Sequence, residues 1–196
     1  MRALTPKPRQ QALQYARLLV GFLIASVMEY ISLVLVLGVA IVGGYTDVRT
    51  GKVYNLLTYP AMLAGAGLQL VSAGPSGLVL SLQGIGVGLG LLILPYLLRA
   101  VGGGDVKLLA AVGAFVGPVG AFGVMVLGAL AGGILAIGLL IKRRQLTFTL
   151  LSLALIPKGT LEAAQDKRDF PFAVTIPLGL ILWLLATSHL VLGGPG

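Results

Sequence analysis

Long apolar blocks alternate with short polar connections along most of the 196-residue chain. A helix needs about 20 apolar residues to cross the hydrocarbon core of a bilayer, and most of the blocks approach or exceed that length. They cover residues 30–46, 56–73, 78–98, 106–116, 119–141 and 172–192. The pattern predicts an all-α fold, a polytopic membrane helix bundle of about six transmembrane helices, one of them short.

The short block ends just before a Gly117-Pro118 pair. Proline lacks the amide hydrogen that would continue a helix, and glycine permits a tight turn. The sequence therefore predicts a half-length helix joined by this turn to a full one.

Composition agrees with a membrane location, because 57% of the residues are hydrophobic and only 10% are charged. The 29 glycines fit helices that approach closely in lipid. Gly84, Gly86, Gly88 and Gly90 form two interleaved GxxxG pairs within one block, and these predict helix packing rather than a dinucleotide loop. Gly128 and Gly132 are interpreted in the same way.

The formal net charge of +8 comes from basic residues in three connections and an N-terminal cluster. Cytoplasmic loops of membrane proteins are rich in Lys and Arg, so these three connections are predicted to be cytoplasmic, and no nucleic acid is expected as a partner. The basic residues of the connections are Arg49, Lys52, Arg99, Lys107, Lys142, Arg143, Arg144, Lys158, Lys167 and Arg168. The uncharged connections near Gly74, Gly117 and Gly193 then lie on the far side.

The N-terminus does not fit this alternation, because its basic residues would be outside. Residues 1–27 are therefore treated as an N-terminal extension, basic and then apolar, which is an interfacial helix, part of one long tilted span, or a signal-like segment. Residues 28–196 form the predicted membrane domain. Within it, residues 146–156 are apolar but too short to span, and an interfacial helix is expected there.

The chain contains no cysteine and a single histidine, His189. These counts exclude thiolate chemistry and a zinc site built from Cys and His. His189 lies near the end of the last block, where an interfacial role is expected. No metal and no cofactor are predicted.

The six acidic residues are the main candidates for chemistry, because a charge at membrane depth costs at least about 2.5 kcal/mol. Glu29 lies at a block boundary, and Glu162, Asp166 and Asp169 lie in a polar cytoplasmic loop. Asp47 directly follows the first block and Asp105 directly precedes the fourth, so both are predicted at the same membrane face.

Two interpretations of Asp47 and Asp105 stay open from the residues alone. Two carboxylates that share a site hold one proton between them, and such a pair can activate water for attack on a peptide bond. Alternatively, Asp105 is an N-cap after a glycine loop and Asp47 a boundary residue.

The motifs around these acids resemble those of type IV prepilin peptidases, which are GxGD membrane aspartyl proteases. Gly102 to Asp105 spells GxGD and is followed by Val-Lys, and Asp47 ends a hydrophobic span with Arg49 and Asn55 after it. A Phe-Pro-Phe element precedes the last block. The resemblance implies that Asp47 and Asp105 are the catalytic pair and that Gly102, Gly103 and Gly104 form the active-site loop. Lys107 is interpreted as a cytoplasmic anchor.

The resemblance also implies a substrate. Family members remove a short basic leader from pilin-like, pseudopilin-like or archaellin-like precursors at the cytoplasmic face of the inner membrane. Glu162, Asp166 and Asp169 are then candidates for attracting the leader. The chain departs from many relatives in having Val53-Tyr54-Asn55 where they have Ile-Pro-Asn, and it lacks a cysteine-rich insertion, which favours a compact peptidase.

Three alternatives remain at the level of sequence. A small proton-coupled transporter or channel would also use membrane carboxylates, although it would hold them at mid-membrane rather than at span ends. Presenilin-like proteases share GxGD, but their Tyr-Asp pair and Pro-Ala-Leu element are missing here. A structural subunit would tolerate loss of either aspartate. The oligomeric state is left open.

Overall fold

The computed structural model describes residues 8–99, 101–142 and 174–192. There the chain forms four helices, α1 (Pro8–Thr50), α2 (Asn55–Leu97), α3 (Gly103–Lys142) and α4 (Thr175–Leu192). Within α1, α2 and α3, three helices are long and apolar enough to cross a membrane, and α4 contains a shorter apolar helix. The predicted all-α fold of apolar helices is confirmed for the described residues.

Helix α2 is bent back on itself at Gly74, whose φ of 66° and ψ of −150° are not helical. A Cβ atom built on Gly77 would lie 2.8 Å from the carbonyl carbon of Gln69. Residues eight apart in a straight helix are separated by about 12 Å, so the chain reverses direction here. Residues 55–73 and 75–97 are two arms, α2a and α2b. The break lies at the connection predicted near Gly74.

Helix α3 has the same construction. Gly117 has φ 71° and ψ −176°, and a Cβ atom built on Gly113 would lie 3.2 Å from the Cβ of Ala121. Residues 103–116 and 118–142 are therefore two arms, α3a and α3b, and the break predicted at Gly117 is confirmed. Gln69 Nε2 donates a hydrogen bond of 2.7 Å to the carbonyl of Phe115 beside this break, which satisfies a backbone group near the interrupted helix.

The arm α3a forms the centre of the bundle, since residues 108–115 are all buried. The two arms of α2 flank it. Gly65 of α2a approaches Ala114, where an added Cβ atom would meet the Ala114 Cβ at 2.9 Å, and Gly88 of α2b approaches the Cα of Ala110 at 2.7 Å. Without side chains at these glycines, the helix backbones come close enough to enclose α3a.

The two interleaved GxxxG pairs of α2b differ in their surroundings. Gly84 and Gly88 contact the backbone of α3a, whereas a Cβ atom at Gly86 or Gly90 would meet nothing within 4 Å. Helix packing is thus seen for one pair, and the other pair faces outward.

The arm α3b packs against α4. Gly123 lies against the ring of Trp183, and a Cβ atom added at Gly132 would lie 2.6 Å from the Cγ2 of Thr175. Gly128 approaches the carbonyl oxygen of Thr175. The predicted packing role of Gly128 and Gly132 therefore has a partner, the start of α4.

Helix α1 is longer than the first apolar block, which began at residue 30. It has 43 residues and a length of about 64 Å, twice the thickness of the hydrocarbon core. Val36 and Ala40 are buried against the bundle, whereas Leu18, Leu19 and Leu23 are exposed. The second half of α1 is thus built into the bundle, and the division at residue 27 stays a prediction.

Candidate active site

The two acids singled out from the sequence lie at helix ends. Asp47 is half-buried in the last turn of α1. Asp105 is 5% exposed and lies in the first turn of α3a. A four-residue connector, residues 51–54, separates α1 from α2, and it reaches the start of α3a. The end of α1 and the beginning of α3a are therefore at the same end of the bundle.

The helices that carry the acids touch one turn deeper in the bundle. A Cβ atom added at Gly43 would lie 2.6 Å from the Cδ1 of Leu108. Asp47 follows Gly43 by four positions, and Asp105 precedes Leu108 by three. Residues at these spacings share a helix face, so Asp47 and Asp105 lie on the facing sides of α1 and α3a, one turn nearer the bundle end than the contact.

The connector after α1 has a defined turn. The amide of Gly51 donates to the carbonyl of Asp47 at 2.7 Å, and Gly51 has φ 63°, which is the left-handed conformation that commonly ends a helix. Tyr54 then has φ −75° and ψ 135°. Proline at this position would adopt nearly the same φ. The replacement of Ile-Pro-Asn by Val-Tyr-Asn is therefore compatible with the same turn.

The connector packs on the glycine loop. Val53 is buried, and a Cβ atom added at Gly104 would lie 2.9 Å from its Cβ and 3.1 Å from its backbone nitrogen. The neighbouring Gly103 faces the ring edge of Tyr96, at 3.3 Å from an added Cβ atom. Of the two positions, Gly104 is the one closed in by backbone.

Asp105 is bonded to its own loop. The Gly102 amide donates to Oδ2 of Asp105 at 3.0 Å, and the Asp105 amide donates to the Gly102 carbonyl at 3.1 Å. Gly102 is thus in the N-cap position, and Asp105, three residues on, accepts the N-cap amide as the acid of a capping box does. The alternative interpretation from the sequence, in which Asp105 is the N-cap residue, is therefore wrong on this point, because Gly102 occupies the N-cap position.

Lys107 has partners that the sequence did not indicate. Its Nζ donates to Oδ1 of Asn55 at 2.9 Å and lies 5.7 Å from the ring centroid of Tyr59. Both partners belong to the first turns of α2a. Lys107 and Asn55 are 52 positions apart in the sequence, and the fold brings them together.

An apolar groove of about 190 Å³ lies beside the Asp47 end of α1. It runs between α1 and the beginning of α4. Its walls are Ile41, Gly44, Tyr45, Val48, Val174 and Pro177. A groove made by two helices so distant in sequence has no local sequence signal.

Several predicted elements fall outside the described residues, and their roles remain predictions. They are the loop acids Glu162, Asp166 and Asp169, the Phe170-Pro171-Phe172 element and the apolar stretch 146–156.

The fold and the two acids define a class, a membrane helix bundle with carboxylates gathered at one end of its helices. A sequence model of the type IV leader peptidase family matches residues 33–137, which is more than half of the chain and includes Asp47, Asp105 and the glycine loop. The chain belongs to the type IV leader peptidase family and is thus a peptidase. Searches of curated proteins and of solved structures gave no match.

Proposed function

We propose that this protein is an aspartyl endopeptidase that removes the short basic leader from type IV prepilin-like precursors, at the cytoplasmic face of the inner membrane. The precursor is a pilin, a pseudopilin or an archaellin. The observation that carries the proposal is the contact of Gly43 with Leu108, one helical turn from each acid. Such a contact supports a joint action of Asp47 and Asp105 on one water molecule.

In the proposed reaction, one ionised carboxylate removes a proton from water, and the hydroxide attacks the scissile carbonyl. The protonated partner donates to the developing oxyanion or to the leaving nitrogen as the C–N bond breaks. We assign the base to Asp105, because it lies at a helix N-terminus and accepts the Gly102 amide, and both features favour negative charge. Asp47 is then the acid.

We further propose that α1, the four arms of α2 and α3, and α4 make six membrane crossings. The breaks at Gly74 and Gly117 then lie on the far side. The connector and the glycine loop lie at the cytoplasmic side, where Arg49, Lys52 and Arg99 supply the positive charge expected there. A precursor anchored by its own apolar segment would present its cleavage site at this same face.

The decisive experiment uses the purified full-length protein in detergent and a panel of membrane-anchored precursors with short basic leaders. Asp47→Asn and Asp105→Asn are each expected to reduce leader removal by about 10² to 10⁴-fold, the usual contribution of a general acid or base. Glu29→Gln is the matched control, because Glu29 is an exposed acid of α1, far from the bundle end.

Two results would overturn the proposal. One is an Asp47→Asn or Asp105→Asn variant that cleaves at the rate of the wild type. The other is a well-folded wild type that cleaves no precursor of the panel. In the second case, a proton flux in liposomes that depends on either aspartate would favour the transporter alternative.

The loop acids Glu162, Asp166 and Asp169 are proposed to attract the basic leader. Replacing all three by the corresponding amides is expected to raise KM for a leader with several lysines and to leave KM unchanged for a leader without them. Equal KM changes for both leaders would exclude an electrostatic contribution from these acids.

A further inference from the structure

We infer that Lys107 and Asn55 form a positioning pair for the peptidase reaction, holding the connector that follows Asp47 onto the helix that begins with Asp105. The inference rests on the proposed function in that it assigns the pair a part in that reaction. It changes the interpretation of Lys107, which from sequence was only a cytoplasmic anchor.

Lys107 does not share the helix face of Asp105. Successive helical residues are rotated by about 100°, so two positions turn the side chain by about 200°. The carboxyl of Asp105 bends back to the Gly102 amide, whereas the ammonium of Lys107 bonds Asn55 on α2a. Lys107 therefore acts at the outer side of α3a, away from the face that Asp105 shares with Leu108.

The chain that follows α1 is attached to α3a at two places, once in the connector and once at the first residue of α2a. Val53 packs on Gly104, and Asn55, two residues later, bonds Lys107. Gly104 and Lys107 are three positions apart and lie on one face of α3a. With both attachments made, the four residues after α1 cannot slide along α3a. The end of α1, and Asp47 with it, is thereby held in register with Asp105.

The ammonium is fixed by more than one group. Tyr59 lies one turn after Asn55 on α2a, and its ring centroid is 5.7 Å from Nζ. A charge-assisted hydrogen bond and a cation–π contact thus both come from the start of α2a. The bond lies at the protein surface, so these two groups hold the ammonium in a defined place while it stays in contact with water.

The kinetic test compares Lys107→Met with Lys52→Met, which removes an exposed lysine of the connector and serves as the matched control. For Lys107→Met we expect kcat for leader removal to fall by about 10- to 100-fold, since misplacement by about 1 Å can cost 10²-fold. KM should stay within about twofold, because binding of the precursor is not removed. Lys52→Met should leave both constants unchanged.

Two further variants separate a positioning pair from a general loss of stability. Asn55→Leu should lower kcat as Lys107→Met does, and the double variant should lose little more, because each single change already breaks the same bond. Lys107→Arg, which can still donate to Asn55, should recover part of the rate. Equal behaviour of Lys107→Met and Lys52→Met, or additive losses in the double variant, would overturn the inference.

A cross-linking assay tests the pair without measuring cleavage. It is possible because the chain contains no natural cysteine. Asp47→Cys and Asp105→Cys are introduced together, and the rate of cross-linking by a short dithiol reagent is measured with Lys107 and with Lys107→Met. Slower cross-linking in the Lys107→Met background is expected, whereas an unchanged rate would refute the pair. Because this assay needs no cleavage, failure of the inference is distinguished from failure of the proposed peptidase.

Discussion

Gly43 of α1 and Leu108 of α3a touch where their two helices meet, and an added Cβ atom at Gly43 would lie 2.6 Å from the Leu108 Cδ1. Asp47 and Asp105 are each one turn away from this contact, toward the same end. The spacing of the two helices at Gly43 therefore contributes to the spacing of the acids.

Gly43→Val is expected to widen this helix pair and to reduce leader removal, by about 10²-fold for a shift near 1 Å. The measurement is kcat/KM for a membrane-anchored precursor. Gly38→Val is the control on the same helix, because an added Cβ atom there meets nothing within 4 Å. Equal rates for the two variants would show that the Gly43 contact does not govern the acids.

The glycines of the GxGD loop should differ in their tolerance of alanine. At Gly104 the new methyl group meets the Cβ and the backbone nitrogen of Val53, whereas at Gly103 it meets only the ring edge of Tyr96. Gly104→Ala should lower the cleavage rate at least about tenfold, because the connector must move. Gly103→Ala should stay near the wild-type rate, and the reverse order would contradict this account of the motif.

The interleaved glycines of α2b supply a second matched comparison. Gly84→Ala and Gly88→Ala add a methyl group against the backbone of α3a and are expected to lower the free energy of unfolding by about 1–3 kcal/mol each, the usual cost of overpacking. Gly86→Ala and Gly90→Ala meet open space and should be neutral or mildly stabilising. Thermal unfolding in detergent distinguishes the two pairs, and four similar results would contradict the packing described above.

Substitution of Gly117 tests the cost of its backbone conformation rather than the cost of a steric clash. Nothing lies within 4 Å of an added Cβ atom, but its φ is 71°, a conformation that residues other than glycine adopt at a cost of about 1–3 kcal/mol. Gly117→Ala should therefore destabilise the protein by that amount. Gly67→Ala, also in open space but without a positive φ, should not. A neutral Gly117→Ala would mean that the chain turns at another residue.

Much of the fold could be predicted because its breaks are local. The break at Gly117 was predicted from the Gly117-Pro118 pair, and the one near Gly74 from the uncharged connection between two apolar blocks. Hydropathy likewise located most of the apolar segments. The candidate site residues Asp47 and Asp105 could be singled out because charges near apolar spans are rare and costly.

Other features depend on which surfaces meet, and sequence does not encode that locally. The pairs Gly84/Gly88 and Gly86/Gly90 have identical spacing, yet only the first contacts α3a. The hydrogen bond from Lys107 to Asn55 joins two helices, and it could not be predicted from the sequence of either helix alone. Helix α1 extends from Pro8, well before the first apolar block. Hydropathy does not detect this extension, because the polar residues after Pro8 favour a helix without being apolar enough for a span.

The central arm α3a, residues 103–116, rises only about 21 Å, about two-thirds of the thickness of an average hydrocarbon core. The two arms of α2 enclose this helix, so its short length is a property of the bundle interior rather than a mismatch with surrounding lipid. With Gly117 at the far side, as proposed above, a helix of about 21 Å leaves Asp105 about a third of the core thickness short of the other side. In the proposed reaction, the number of residues between the loop at 102–104 and the turn at Gly117 would therefore set the depth of the carboxyl that water has to reach.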